Sequence, residues 1–81
     1  MGIKGDAAKT LQSVREVNSG FQSLKASLEK VAQWEQNPAG ALTNPRQFKE
    51  DTDNLTKNWN SFQQTFSKLE NNLNKLGLSA Q

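Results

Sequence analysis

The chain contains no cysteine, no histidine and no tyrosine. It therefore has no disulfide framework, no thiolate nucleophile, no Cys/His metal site and no histidine to act as a general base near neutral pH. Hydrophobic residues are also scarce, at 33% of the chain, which argues against a large central core. No apolar run approaches the roughly 18 residues of a membrane-spanning helix. Residues 1–6 lack the apolar stretch of a cleavable signal peptide.

Charge of either sign is modest and dispersed. Ten Lys and Arg side chains against eight Asp and Glu give a net charge of +2, without a basic arm. Because nucleic-acid binding needs clustered cations, this distribution argues against it. The sequence is compatible with the cytoplasm, a virus particle or export by a dedicated secretion apparatus. It contains no catalytic triad spacing and no glycine-rich phosphate loop, so we expect neither an enzyme nor a cofactor.

Apolar residues in both halves of the chain recur on alternating steps of three and four, with polar residues between them. This heptad pattern predicts two long helices that meet along a narrow apolar seam. The predicted seam consists of Val14, Val17, Phe21, Leu24, Leu28, Val31, Phe48, Leu55, Trp59, Phe62, Phe66, Leu69, Leu73 and Leu76.

Both prolines lie between the two halves, where the first helix should stop and the second should start. Asn44 reads as an N-cap before Pro45, and Gly77 reads as a C-cap. We therefore expect a single domain over 1–81. Its parts are a helix over about 5–36, a loop over 37–44, a helix over about 45–76 and a short tail over 77–81.

Two helices of equal length with a short connection predict an all-α, antiparallel, coiled-coil-like hairpin. Residue i should then lie opposite about residue 81 − i, which places Trp34 against Phe48 and Phe21 against Trp59. Ser19-Gly20 reads as a kink, or Gly20 makes room for the indole of Trp59. A hairpin this thin should be marginally stable alone, so we expect it to pack into an oligomer.

Two groups of side chains admit two interpretations each. Glu50, Asp51 and Asp53 form either a cation or acid/base site or a solvated cluster that complements the helix dipole. The indoles of Trp34 and Trp59 are either packed between the helices or exposed as binding anchors.

The connection and the second helix carry further candidates. The connection is either an ordinary link or an interaction loop, and the candidates for that loop are Trp34, Pro38, Gly40, Leu42 and Pro45. The second helix is rich in asparagine, a poor helix former. These side chains either bond neighbouring subunits or keep one face soluble, and they are Asn54, Asn58, Asn60, Asn71, Asn72 and Asn74.

The segment Leu28-Glu29-Lys30-Val31-Ala32, followed by Asn37-Pro38 and Asn44-Pro45, resembles the helix end and proline-containing turn of type III secretion needle subunits. Those are helical hairpins of similar length that polymerise into a hollow tube. Trp34, near the turn, also resembles the tryptophan of WXG100-type secreted proteins, another family of helical hairpins. Both resemblances imply a structural role linked to secretion.

These observations predict a non-enzymatic subunit that self-associates through helical packing, as in a secretion needle, a filament or a phage particle. The expected partner is another copy of the chain or another helical protein. The alternative is a small adaptor, inhibitor or chaperone that binds one partner through the same seam.

Overall fold

The protein consists of helices in the computed structural model, which describes the backbone of residues 2–77 and the side chains of residues 5–77. The elements in chain order are α1 (Gly2–Ala32), a 3-10 helix (Gln33–Gln36), α2 (Pro38–Thr43) and α3 (Pro45–Leu76). No strand occurs within these described residues. The all-α class is thereby confirmed. The expected tail after Gly77 lies outside the described residues.

The connection is more ordered than the sequence analysis expected. Segment 37–44, predicted to be a loop, contains the short helix α2, and α1 passes into a 3-10 turn after Ala32. The reason is visible in the side chain of Asn37, which accepts a hydrogen bond from the backbone N–H of Gly40 at 3.1 Å. An asparagine cap followed by proline starts a helix here. We had interpreted the same pair solely as a stop signal.

The ends of α3 differ in how they are capped. Pro45 opens the helix, but the side chain of Asn44 makes no capping hydrogen bond, which corrects the role expected for it. At the other end Gly77 adopts a left-handed backbone with φ of 74°, and its N–H donates to the carbonyls of Leu73 and Asn74. This is the predicted C-cap, and it depends on the conformational freedom of glycine.

The two long helices, α1 and α3, pack against each other along their length. Their hydrogen-bonded partners are Ser13 with Asn72, Ser27 with Asn58 and, just beyond α1, Trp34 with Asp51. The helices form a thin body with extents of 59 × 21 × 15 Å. Its radius of gyration is 17.6 Å, whereas a compact chain of this length would have one of about 12 Å.

No apolar side chain among the described residues is buried. The buried residues are Thr10, Ser13, Ser27 and Asp51, all of them polar. The predicted seam residues are therefore at most partly buried, and the fully buried positions between the helices are polar. Apolar residues of the two helices meet beside them, as Phe21 and Phe62 do.

The neighbour of Gly20 on α3 differs from the one that the predicted register gives. Helix α1 runs through Ser19 and Gly20 without the predicted break. A Cβ atom added to Gly20 would lie 3.5 Å from Cδ1 of Phe62, not against the indole of Trp59. That distance is an ordinary van der Waals contact, so packing does not require a glycine at this position.

Replacing Gly20 with alanine should therefore stabilise the protein. Alanine is favoured over glycine by about 1 kcal/mol in a helix interior. Gly77→Ala should have the opposite effect, because a left-handed backbone costs a residue with a Cβ about 1 kcal/mol. Urea unfolding followed by circular dichroism, at one protein concentration, would measure both changes. A loss of stability in Gly20→Ala would mean that the helices approach more closely at this point.

Candidate functional site

A line of small and polar residues joins the two long helices, and we call it the polar contact line. It repeats every seven residues in both halves of the chain, which keeps its members on one side of each helix. Its members are Ser13, Gly20, Ser27 and Trp34 in the first half and Asp51, Asn58, Thr65 and Asn72 in the second.

Side-chain hydrogen bonds join members of this line on one helix to members on the other. The amide of Asn72 donates to the hydroxyl oxygen of Ser13 at 2.5 Å. The amide of Asn58 donates to the hydroxyl oxygen of Ser27, which in turn donates to the carbonyl of Ser23 at 3.0 Å. No buried side-chain nitrogen or oxygen in the described part of the chain lacks a partner. Because unpaired buried polar groups are costly, this matching favours one register of the helices.

Trp34 and Asp51 form the end of the line next to the connection. The indole Nε1–H donates to one carboxylate oxygen of Asp51 at 2.9 Å, and the amide of Gln47 donates to the other at 3.0 Å. The indole ring also packs edge-on against Phe48, with centroids 5.6 Å apart. Trp34 is thus half-buried and ties the connection to α3, whichever role the connection has.

These contacts lower the pKa of Asp51 below its ordinary value. The hydrogen bond from Trp34 is the largest cause, the bond from Gln47 and the charge of Lys30 add to it, and burial opposes it. The carboxylate is therefore held in its charged form by neighbouring donors.

The three carboxylates near the start of α3 do not act as one cluster. Asp53 pairs with Lys49 at 2.7 Å on the surface, and Glu50 is exposed. Asp51 is buried against Trp34, which corrects the expectation that it belongs to a solvated group. Within the described residues no three carboxylates come together as a metal site.

An apolar face lies beside the polar contact line. Phe21 packs against Phe62, whose ring also contacts those of Trp59 and Phe66. Shallow clefts join this row of rings to the rest of the face. We define the apolar face as Val14, Phe21, Leu24, Leu28, Phe48, Leu55, Trp59, Phe62 and Phe66.

Six of the nine side chains of this face are exposed. The exposed fraction reaches 48% at Phe21, 54% at Leu28 and 47% at Trp59. A cleft of about 410 Å³ lies between the helices and is lined by Leu24, Leu28, Leu55, Thr56 and Trp59. Contiguous exposed apolar surface of this kind is typical of interaction sites.

The residues predicted for the seam divide into two groups. Val14, Phe21, Leu28, Phe48, Trp59 and Phe66 are exposed. The half-buried group consists of Val17, Leu24, Val31, Leu55, Phe62, Leu69, Leu73 and Leu76. Trp59 is therefore exposed on the apolar face, where its side chain lines the cleft between the helices.

The residues predicted for an interaction loop do not share one environment. Leu42 is the most exposed of them, at 84%. Pro38 and Pro45 open two helices, and Gly40 is bonded to the cap of α2. The role of this segment as an interaction loop stays a prediction.

The polar contact line was missed because only apolar residues were searched for periodicity. The same seven-residue step connects Ser13 to Ser27, and Asn58 to Asn72. Asn58 and Asn72 bond across the helix pair, a role that the sequence analysis does not predict for them. A search for small and amide side chains at this spacing would have found the line.

The bond between Asn58 and Ser27 can be measured by comparing two alanine variants of α3. Asn58→Ala and Asn60→Ala gain the same helix propensity, but Asn60 is exposed and Asn58 donates to Ser27. We expect Asn58→Ala to be less stable than Asn60→Ala by about 1 kcal/mol. Urea unfolding at equal protein concentration measures the difference. Equal stabilities would contradict a contribution from the polar contact line.

The contact between Trp34 and Asp51 should make the stability of the folded protein depend on pH in the acid range. Because the pKa of Asp51 is lowered in the folded state, its contribution is complete above 3.8 and is lost as the pH falls through the lower folded value. Trp34→Phe removes the main donor, so the pKa of Asp51 should rise. A carbon-13 NMR titration measures this, with Trp59→Phe as the control. A wild-type Asp51 that titrates at or above 3.8 would contradict the assignment.

None of the described helices is both long and apolar enough to cross a membrane. Comparison with protein-family models, with curated proteins and with solved structures gives no match to this chain. The resemblances to needle subunits and WXG100-type proteins therefore stay predictions. A function for this helix pair has to be inferred from its own two surfaces.

Proposed function

We propose that this chain is a non-enzymatic structural subunit that self-associates through its apolar face. The observation that carries the proposal is the exposure of that face beside a polar helix contact. A secretion needle or filament, or a phage particle, is the kind of assembly that such a subunit would build. Another copy of the chain is its expected partner.

The proposed subunit is an antiparallel hairpin. The hydrogen-bonded partners support this, because Ser13, Ser27 and Trp34 bond to residues of steadily falling number in α3. Two turns of helical connection lie between the long helices. The apolar residues of both helices are thereby brought to one side of the pair.

The energetics favour association. Burial of apolar surface contributes about 25 cal/mol per Å², and the described residues bury no apolar side chain fully. The hydrogen bonds of the polar contact line mainly replace bonds to water, so each adds about 1 kcal/mol or less. Covering the face would therefore add hydrophobic free energy that the helix pair alone leaves unused.

The polar groups of the helix pair do not suggest catalysis. The buried carboxylate of Asp51 is engaged by Trp34 and Gln47, and the hydroxyl groups of Ser13 and Ser27 accept from asparagine amides. A catalytic group must be free to exchange a proton or to attack a substrate. We therefore propose a binding role for this chain.

A second candidate is an adaptor that binds one helix of a different protein. The cleft along Leu24, Leu28, Leu55 and Trp59 favours it, because an apolar groove between two helices can accept the apolar row of a third. In that case the chain alone would stay monomeric and would gain stability when its partner is added.

Solution mass across a hundredfold range of concentration distinguishes the two functions. Self-association predicts a light-scattering mass that rises with concentration. Leu28→Gln should weaken association at least about tenfold, since it removes an apolar contact from the face. Leu42→Gln is the matched control, because Leu42 is an exposed leucine outside the apolar face.

A helical monomer at every concentration would contradict self-association and favour the adaptor. Equal weakening by Leu42→Gln would instead place the contact at the connection between the helices.

A further inference from the structure

Four of the five rings of the apolar face form a continuous row, which we call the ring row, and they are Phe21, Trp59, Phe62 and Phe66. Phe62 lies 6.3 Å from Phe21, 6.3 Å from Trp59 and 6.2 Å from Phe66 between ring centroids. Trp59 and Phe62 flank the midpoint of α3, which runs from Pro45 to Leu76. The largest apolar side chains therefore lie at the centre of the face, where the strongest contacts of interfaces concentrate.

The size of the face suits a second copy of the chain. The helix pair is 59 Å long and 21 Å wide, so the whole broad side that carries the apolar face, polar margins included, measures about 1,200 Å², whereas a stable interface buries about 800 Å² per partner. A second copy that covers about two thirds of this side meets that requirement. A single helix, about 10 Å across, would cover half of the width.

The distribution of charge also permits a second copy. The cleft along Leu24, Leu28, Leu55 and Trp59 has no charged residue in its lining. Charged residues instead line the groove along the polar contact line, which includes Lys9, Glu16, Lys68 and Lys75. A net charge of +2 also gives little repulsion between copies. Within this cleft, identical charges would not be forced together when two such faces meet. The neighbouring cleft of the face has one charged residue in its lining, Glu35.

We infer that the apolar face closes on the same face of a second copy, about a twofold axis that passes through the ring row. The product is a four-helix dimer with Trp59 and Phe62 of both copies at its centre. Because both faces are used, apolar contact does not propagate, and growth through this surface ends at two copies. A needle, filament or particle would then have to grow from this dimer through its other surfaces. This inference rests on the proposed self-association and specifies its partner, its surface and its stoichiometry.

Two lysine variants of α3 test the surface. Trp59→Lys places a charge at the centre of the proposed interface, and Asn54→Lys places the same charge on the polar side, where Asn54 lines the cleft beside Ser27 and Asp51. We expect Trp59→Lys to raise the dissociation constant of the dimer by about thirtyfold or more. Asn54→Lys should leave it unchanged, and circular dichroism should report helical chains for both.

Single-cysteine variants test the symmetry, and the chain has no cysteine that would interfere. A residue near a twofold axis lies close to its own copy, whereas a distant one does not. Gln63→Cys, next to Phe62, should link to itself through a short bismaleimide. Arg46→Cys, about 25 Å away along α3, should not.

The outcomes separate this inference from the proposed function. A mass that reaches a plateau at twice 9.0 kDa, with self-linking at Gln63→Cys, supports both. A mass that rises without a plateau, or a dimer that Asn54→Lys weakens as much as Trp59→Lys, overturns the twofold face-to-face dimer and leaves self-association intact. A monomer throughout, or a monomer that binds only a different helical protein, overturns both.

Discussion

The alignment of the two long helices depends on the polar side chains that lie at the contact between them. Serine, glycine and asparagine occupy the positions where a two-helix coiled coil normally has leucine or valine. Each asparagine amide on this line donates to a serine hydroxyl on the other helix. Among the side chains that the structure describes, the pair therefore closes with no buried nitrogen or oxygen left unpaired. A shift by one helical turn would separate Ser27 from Asn58 and Trp34 from Asp51 together. The polar contact line thus determines register.

A contact of this kind is specific but weak. Hydrogen bonds between buried side chains contribute little net free energy, although breaking one partner is costly. The large apolar side chains, which could contribute more, are displaced to one side of the pair. The same arrangement that aligns the helices therefore leaves Phe21, Leu28 and Trp59 without cover. Register and the proposed association would therefore be separate properties, carried by separate sets of residues.

The sequence predicts the helices well and their contact poorly. Helix starts and ends follow from local chemistry, such as Pro45 and Gly77, and they agree with the structure at α3. The contact between the helices depends on which of two adjacent seven-residue rows, the polar contact line or the apolar row beside it, faces the other helix. Hydrophobicity favours the row of Phe21 and Leu28, and a chain that closes on itself alone would bury it. In the structure Phe21 and Leu28 stay exposed. The heptad pattern of two helices does not predict this, because it assumes that the apolar row faces the partner helix.

The two tryptophans occupy environments that respond to different events. Trp34 is bonded to Asp51 at the closed end of the helix pair, while Trp59 lies exposed in the ring row. Indole emission shifts with solvent contact, so Trp34 would report separation of the helices and Trp59 would report covering of the apolar face. In a Trp59→Phe variant the remaining indole, Trp34, is the probe of helix separation. In a Trp34→Phe variant the remaining indole, Trp59, is the probe of the apolar face. Folding and association could then be followed separately without an added label.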